Sequence, residues 1–280
     1  MRNWVKEILY LDDGSDDGSL EIAKGVAESS EIPIKIISSE HVGRKSPRLN
    51  AQLEKINTDL IRVLEGDAKY DANHLERCIG HFADPQVAGV IGRIRPWVVE
   101  NFWDRCRDFE LGMRYQDYKP FTAWVLRTDV VKKLGGYDTN VWRFEDYFMG
   151  KKLLNAGYKI VFEKDAVWWH NEKTSPSELF WRRKEVGEGY WEMVFSKKWI
   201  LIYIPLWTLA IISAPFYGFQ YFGMATLGYI SLFFLLTGLS GFKISKNPLL
   251  WFGVALMKFI NHASSTIWFW YAPLGKFLRR

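Results

Sequence analysis

The sequence predicts an α/β domain with a mostly parallel sheet flanked by helices, followed by an apolar helical tail. Three observations lead there. Short β-type runs alternate with helically spaced ones over the first two thirds of the chain. Acidic residues gather where those runs end. After Trp199 there is no Asp or Glu at all. Alternating strands and helices give a parallel sheet, whose ligands bind outside the carboxyl ends of the strands.

Residues 5–11 (VKEILYL) form an apolar run that stops at Asp12-Asp13-Gly14-Ser15, a strand entering a turn. Residues 20–28 have helical spacing, with Ser19 or Asp17 available as a cap. A second strand is expected at 34–38 and a helix at 50–57. A strand at 60–64 again ends in acids, Glu65-Gly66-Asp67. Residues 73–82 read as helix and 87–91 as strand. The aromatic-rich stretch 102–138 closes on Gly135-Gly136-Tyr137-Asp138. A helix at 144–156 opens with Glu145-Asp146, and extended pieces follow at 159–163 and 167–170.

Residues 177–195 make a helix of mixed character carrying Trp181, Arg182 and Arg183. Aromatic and basic side chains just before a greasy segment suit a helix lying in the headgroup layer, though an ordinary packing helix has the same composition. Three apolar segments come next, at 199–219, 221–241 and 249–271. Each is near the roughly 20 residues that span a bilayer. The first two carry no charge and read as a hairpin. The third sets Lys258, Asn261, His262 and Ser265 on one face, so it either spans with that face turned inward or lies in the interface. The expected organisation is an α/β domain at 1–174, an interfacial helix at 175–198, and a membrane region of two or three spans at 199–280.

Charge supports this division. The net charge of +5 comes from the tail, whose six cations leave 31 Lys+Arg against 32 Asp+Glu in residues 1–198. Cations flanking apolar segments follow the positive-inside rule and keep the α/β domain cytoplasmic, so the basic balance does not argue for a nucleic-acid partner. Two cysteines, Cys78 and Cys106, without CxxC or clustered histidines, give neither a zinc site nor a disulfide framework.

The acids offer chemistry in three places: Asp12-Asp13, Glu65-Gly66-Asp67 and Glu145-Asp146. Transfer of a sugar from a nucleotide diphosphate needs a divalent cation on the leaving group, held by one or two carboxylates. It also needs a separate carboxylate to take the proton of the acceptor hydroxyl. Singly, each pair has a plainer reading. DDGSDDGS is also a solvated turn, many strands end in acids, and Glu-Asp at a helix start answers the helix dipole. An EF-hand is excluded, because Lys24 stands where its last ligand would be Glu.

Taken in order, ILYLDDGSDDGS, RVLEGDAKYDANHLE, LGGYD and FEDYFMGKKLLNAGYKIVFEKDAVWWH resemble the family-2 glycosyltransferases of the Rossmann-like GT-A fold, over roughly residues 5–190. The resemblance implies that Asp12 and Asp13 contact the nucleotide base, Glu65 the ribose, and Asp67 a Mg²⁺ or Mn²⁺ ion. It implies Asp146 as general base beside Glu145, and His170 near the diphosphate or metal. GRKSPRLN (43–50) is similar to the family's basic segment, so Arg44, Lys45 and Arg48 are candidates to offset phosphate charge. The implied reaction is an inverting hexosyl transfer at the cytoplasmic membrane face. Its donor is UDP-linked more readily than GDP-linked, and its acceptor is lipid-linked or saccharide. Three departures stand out. Glu65 replaces the family's Asp, Phe180-Trp181-Arg182-Arg183 replaces the QxxRW of processive synthases, and the family's opening strand and helix precede the segment matching 5–13. These motivate a second reading, a non-catalytic membrane module that keeps the fold.

Overall fold

The computed structural model describes residues 4–39, 43, 45–116, 118–141, 143–172, 174–182 and 219–278, with isolated positions at 205, 208, 209 and 212. The chain divides into two compact units. One comprises residues 1–63, 75–91 and 120–161, and the other residues 64–74, 92–119 and 162–280.

In the first unit, β1 (Ile8–Asp12) pairs in parallel with β2 (Ile34–Ser38), Ile8 opposite Ile34 and Asp12 opposite Ser38. α1 (Ser19–Ser29) makes the crossover between them. α2 (Lys45–Leu53) begins five residues before the expected start, because Pro47 falls in its first turn, where a missing N–H costs nothing. A proline that reads as a breaker is here part of a helix start.

β3 (Leu60–Arg62) pairs antiparallel with β6 (Val125–Arg127), and β6 antiparallel with β5 (Val87–Pro96) through Gly89–Leu126 and Val90–Val125. The mostly parallel sheet is therefore corrected to a mixed one: of the ladders described, β1–β2 alone is parallel. Residues 118–124, which lead into β6, carry no helix, and β6 runs against both β3 and β5. With three residues, two of them buried, β6 also has no alternation to read. β1–β2 and β3–β6–β5 lie in separate sheets, so β1 and β3 are both edges. Lys6 Nζ donates to Asn57 Oδ1 at 2.8 Å, joining the approaches to these two strands by side chains alone.

The core of this unit packs Leu126, Ala88 and Ala123 against α5 (Thr128–Lys133), α6 (Glu145–Asn155) and the end of α2, through Val131, Met149, Leu153 and Leu53. Asn50 secures the Gly-Gly-Tyr segment. Its Nδ2 donates to Tyr137 O and its Oδ1 accepts from Tyr137 N, both at 2.8 Å. Gly136 (φ 68°) passes so close to Asn50 that a Cβ there would lie 2.5 Å from Oδ1, which explains glycine at this position.

In the second unit, β4 (Ala68–Tyr70) pairs antiparallel with the end of β7 (Lys159–His170), Ala68 opposite His170. β7 is one strand of 12 residues where two pieces are expected. α4 (Phe102–Arg114) starts at a capping box of Asn101 and Asp104. Two long helices, α7 (Phe219–Gly241) and α8 (Pro248–Leu278), pack on each other and on α4. Cys106 and Phe109 of α4 bury against Val254 and Met257 of α8. Gly253 and Gly241 permit that approach, since a Cβ on either would overlap Cys106 Sγ or the Phe109 ring.

The expected tail is corrected in part. The first apolar segment lies almost wholly outside the described residues, as does the expected headgroup helix beyond Arg182. Among the described residues one helix, over Gly223–Gly241, is long and apolar enough to cross a membrane. Its Leu227, Leu235 and Leu239 are 66%, 60% and 81% exposed. α8, over the third segment, is not the helix that meets this measure; it buries Val254, Ala255 and Met257, turns Lys258 onto Glu110 of α4, and leaves Leu249, Phe252 and Ile267 exposed.

Candidate active site

In the first unit the strand-end acids are unequal. Asp12 is 2% exposed. Its Oδ2 accepts from Ser38 Oγ at 2.7 Å and Gly14 N at 3.2 Å, and its Oδ1 from Ser15 N at 3.3 Å. The Ser38 hydroxyl, followed by those of its own turn, holds its carboxyl down to about 2. Asp12 thus closes its own turn and ties it to β2. Asp13 stands further out. It accepts from Gly43 N at 3.1 Å and pairs with Arg48 at 3.2 Å. A depressed carboxyl contributes stability that is present above its usual 3.8 and lost as pH falls through about 2. Ser38→Ala is expected to move the Asp12 titration, read by carboxyl ¹³C NMR, up toward 3.8 and to bring on acid loosening of β1–β2 at higher pH.

Lys45, the first residue of α2, pairs with Glu145 at 3.0 Å and lies 5.3 Å over the Trp124 ring. Arg48 Nε is buried without a hydrogen-bond partner. Glu145 and Asp146 open α6, where the helix N-terminus favours negative charge. The preceding Phe144 is left-handed (φ 64°, ψ 29°), an uncommon conformation for a bulky residue and one that sets the direction of the first turn. Arg44 lies outside the described residues.

The second unit brings Glu65, Asp67 and His170 together. His170 Nε2 is 3.3 Å from Asp67 Oδ2 and 3.5 Å from Glu65 Oε2. The three ligand atoms all lie within 4.8 Å of one another. The β4–β7 register explains the meeting: Ala68 opposite His170 puts Asp67 beside the ring, and Asn171 N donates to Asp67 O at 3.0 Å. Two carboxylate oxygens and an imidazole nitrogen could hold a divalent cation, the nitrogen donor favouring a transition metal such as Mn²⁺ over Mg²⁺. His170 Nδ1 is buried and makes no finished hydrogen bond, with Glu172 Oε1 3.4 Å away. Glu172, followed by Asp67 and Glu65, raises the His170 pKa against the opposing effect of burial.

Behind His170 runs an ionic chain absent from the sequence reading, apart from Arg182 and Lys258. Arg182 bonds Glu172 at 3.1 Å, a role beyond the expected headgroup contact. Arg107 donates to Glu172 at 3.2 Å and to Glu110 at 2.8 Å, and Glu110 meets Lys258. The Arg107–Glu110 spacing is visible in the sequence, but it looks like any surface i,i+3 pair. Trp181 is 62% exposed and packs on Trp268, while Arg183 lies outside the described residues.

Residues 3–140 match the family described as Glycosyl transferase family 2. The pre-mycofactocin glycosyltransferase of Mycobacterium tuberculosis (strain CDC 1551 / Oshkosh) is 25% identical over 193 residues, covering 64% of this chain and 40% of that protein. The O-antigen chain rhamnosyltransferase RfbN of Salmonella typhimurium is 27% identical over 199 residues, covering 65% and 62%. The chain thus spans less than two thirds of either relative's length. The mannosyltransferase PcManGT of Pyrobaculum calidifontis, solved with GDP-Man and Mn²⁺, superposes with a TM-score of 0.58 at 18% identity, covering 94% of this chain and 78% of that one. That likeness is one of fold, α/β and GT-A-like.

Proposed function

We propose that this chain, a member of glycosyl transferase family 2 through residues 3–140, transfers a sugar from a nucleotide-sugar to a saccharide or lipid-linked acceptor at a membrane face. The observation that carries the reading is the convergence of Glu65, Asp67 and His170. These residues would hold a divalent cation, which neutralises the diphosphate leaving group. Mn²⁺ accompanies GDP-Man in the mannosyltransferase structure, in keeping with that use. Asp13 offers an acceptor to the nucleotide, and the unpartnered Arg48 Nε and the Lys45 ammonium offer charge to its phosphates. Asp146 takes the proton from the acceptor hydroxyl as it attacks the anomeric carbon, giving inversion. The exposed leucines of α7 and the acid-free tail support a membrane location, and the flanking lysines support its cytoplasmic side.

The test uses membranes containing the chain, with UDP- and GDP-linked sugars offered in parallel. Transfer is expected to depend on added Mn²⁺ or Mg²⁺ and to fall on the order of 10²-fold or more in Asp67→Ala, since a lost Lewis acid removes several kcal/mol of transition-state stabilisation. Transfer undiminished by chelator and by Asp67→Ala would sink the proposal. Metal-dependent nucleotide binding without transfer would favour the non-catalytic module, the reading supported by the separate edges of β1 and β3.

A further inference from the structure

The loop after β7 places a buried carboxylate directly behind the Glu65–Asp67–His170 cluster. Glu172 has a side chain 3% exposed, and its Oε1 faces His170 Nδ1 at 3.4 Å. Its Oε2 is held by two guanidinium groups, Arg107 Nε at 3.2 Å and Arg182 Nη1 at 3.1 Å. We infer that Glu172 is a positioning residue: its arginine-held carboxylate orients the His170 ring so that Nε2, and not Nδ1, is presented to Glu65 and Asp67. The inference rests on the reading of that cluster as a metal site.

The backbone gives the carboxylate little room to swing. Asn171 N donates to Asp67 O at 3.0 Å, and Glu172 N to His170 O at 2.8 Å. Two residues on, Thr174 Oγ1 donates to Asp104 Oδ1 at 2.6 Å, and Asp104 belongs to the capping box of α4. The loop is thus pinned at one end to the acidic turn and at the other to a helix start. The two ring nitrogens of His170 face different things, Nδ1 the Glu172 carboxylate and Nε2 the two acids. An imidazole that ligates through one nitrogen while donating from the other to a carboxylate is fixed in tautomer and orientation, and is the better ligand for it.

The competing role is an anchor. Arg107 also bonds Glu110, which meets Lys258 of α8, so Glu172 could serve only to dock helices. The two roles differ in what they predict for metal affinity. Mn²⁺ alone, titrated into the purified full chain and followed by the EPR signal of the free ion, separates them. Glu172→Gln keeps size and shape but loses the charge, and is expected to weaken Mn²⁺ binding about 10–100-fold. Lys258→Met disturbs the far end of the chain and leaves the Glu172–His170 contact intact, so its affinity is expected to stay within about threefold of wild type. Should Glu172→Gln fail to fold, Glu172→Asp keeps the charge for both arginines while withdrawing the carboxylate from Nδ1, and a loss of about tenfold is expected. Wild-type affinity in the folded glutamine or aspartate variant overturns the inference alone, as does an equal loss in Lys258→Met. If the wild type takes up no Mn²⁺, or Asp67→Ala binds as tightly as wild type, the metal-site reading falls and the inference with it.

Discussion

Asp146→Asn is expected to lower the rate of sugar transfer by roughly 10²–10⁴, the usual contribution of a positioned general base. Binding of the nucleotide-sugar should remain, because the amide keeps the volume of the carboxylate and Asp146 has no part in the proposed metal set. Glu145 is paired with Lys45 at 3.0 Å, and the proposed proton transfer falls to Asp146, beside it in the first turn of α6. Its position is set by a helix whose Met149 and Leu153 are buried and whose Gly150 packs on the Phe121 carbonyl. The strained Phe144 supports the same view, since a left-handed phenylalanine costs about 1–3 kcal/mol and persists only where the surroundings impose it. The measurement is steady-state kinetics with donor and acceptor varied separately. A fall in kcat with donor KM within about threefold is expected. A fall confined to donor KM, or no fall, would remove Asp146 from the proton-transfer role.

Much of the frame was legible, for identifiable reasons. β1, α1 and β2 have clean periodicity and turn residues at their joints, and α6 opens on the acids that announced it. What was not legible depends on pairing across the chain. β4 and β6 have three residues each and no readable period, yet β4 is what brings Asp67 to His170. The pairing of the Asp-Asp-Gly-Ser turn is likewise absent from local pattern: Asp12 turns inward to Ser38, 26 residues away. Glu172 shows only as an acid in a loop, because Arg107 reaches it across 65 residues of sequence. In the apolar tail, hydropathy counts greasy residues without saying what they face, so the packing of α8 on α4 was not legible.

Glu110→Gln is expected to destabilise the second unit by about 1–3 kcal/mol, because it takes the anion from Lys258 and leaves the buried Arg107 with Glu172 as its remaining carboxylate. The Glu110 side chain is 7% exposed, between Arg107 at 2.8 Å and Lys258. Burial pushes its carboxyl upward, but Lys258 and then Arg107 outweigh that and hold it well below the usual 4.5. A carboxyl depressed in this way contributes stability that is complete above its unfolded value and lost as pH falls through the folded one. The α4–α8 docking should therefore be insensitive to pH from neutrality down to about 5 and weaken in stronger acid. Lys258→Met should cost less than Glu110→Gln, since Arg107 still pairs with Glu110. Replacing Arg107, Glu110 and Lys258 together by apolar residues of matching volume should cost less than Glu110→Gln alone, because no charge is then left buried. Such a variant would, however, release one of the arginines that hold Glu172, so its stability and its Mn²⁺ affinity should part company. Denaturant midpoints in detergent for the four proteins, at neutral pH and near pH 3, decide the matter. A loss below about 1 kcal/mol in Glu110→Gln would mean that water reaches this carboxylate as it does at a surface ion pair.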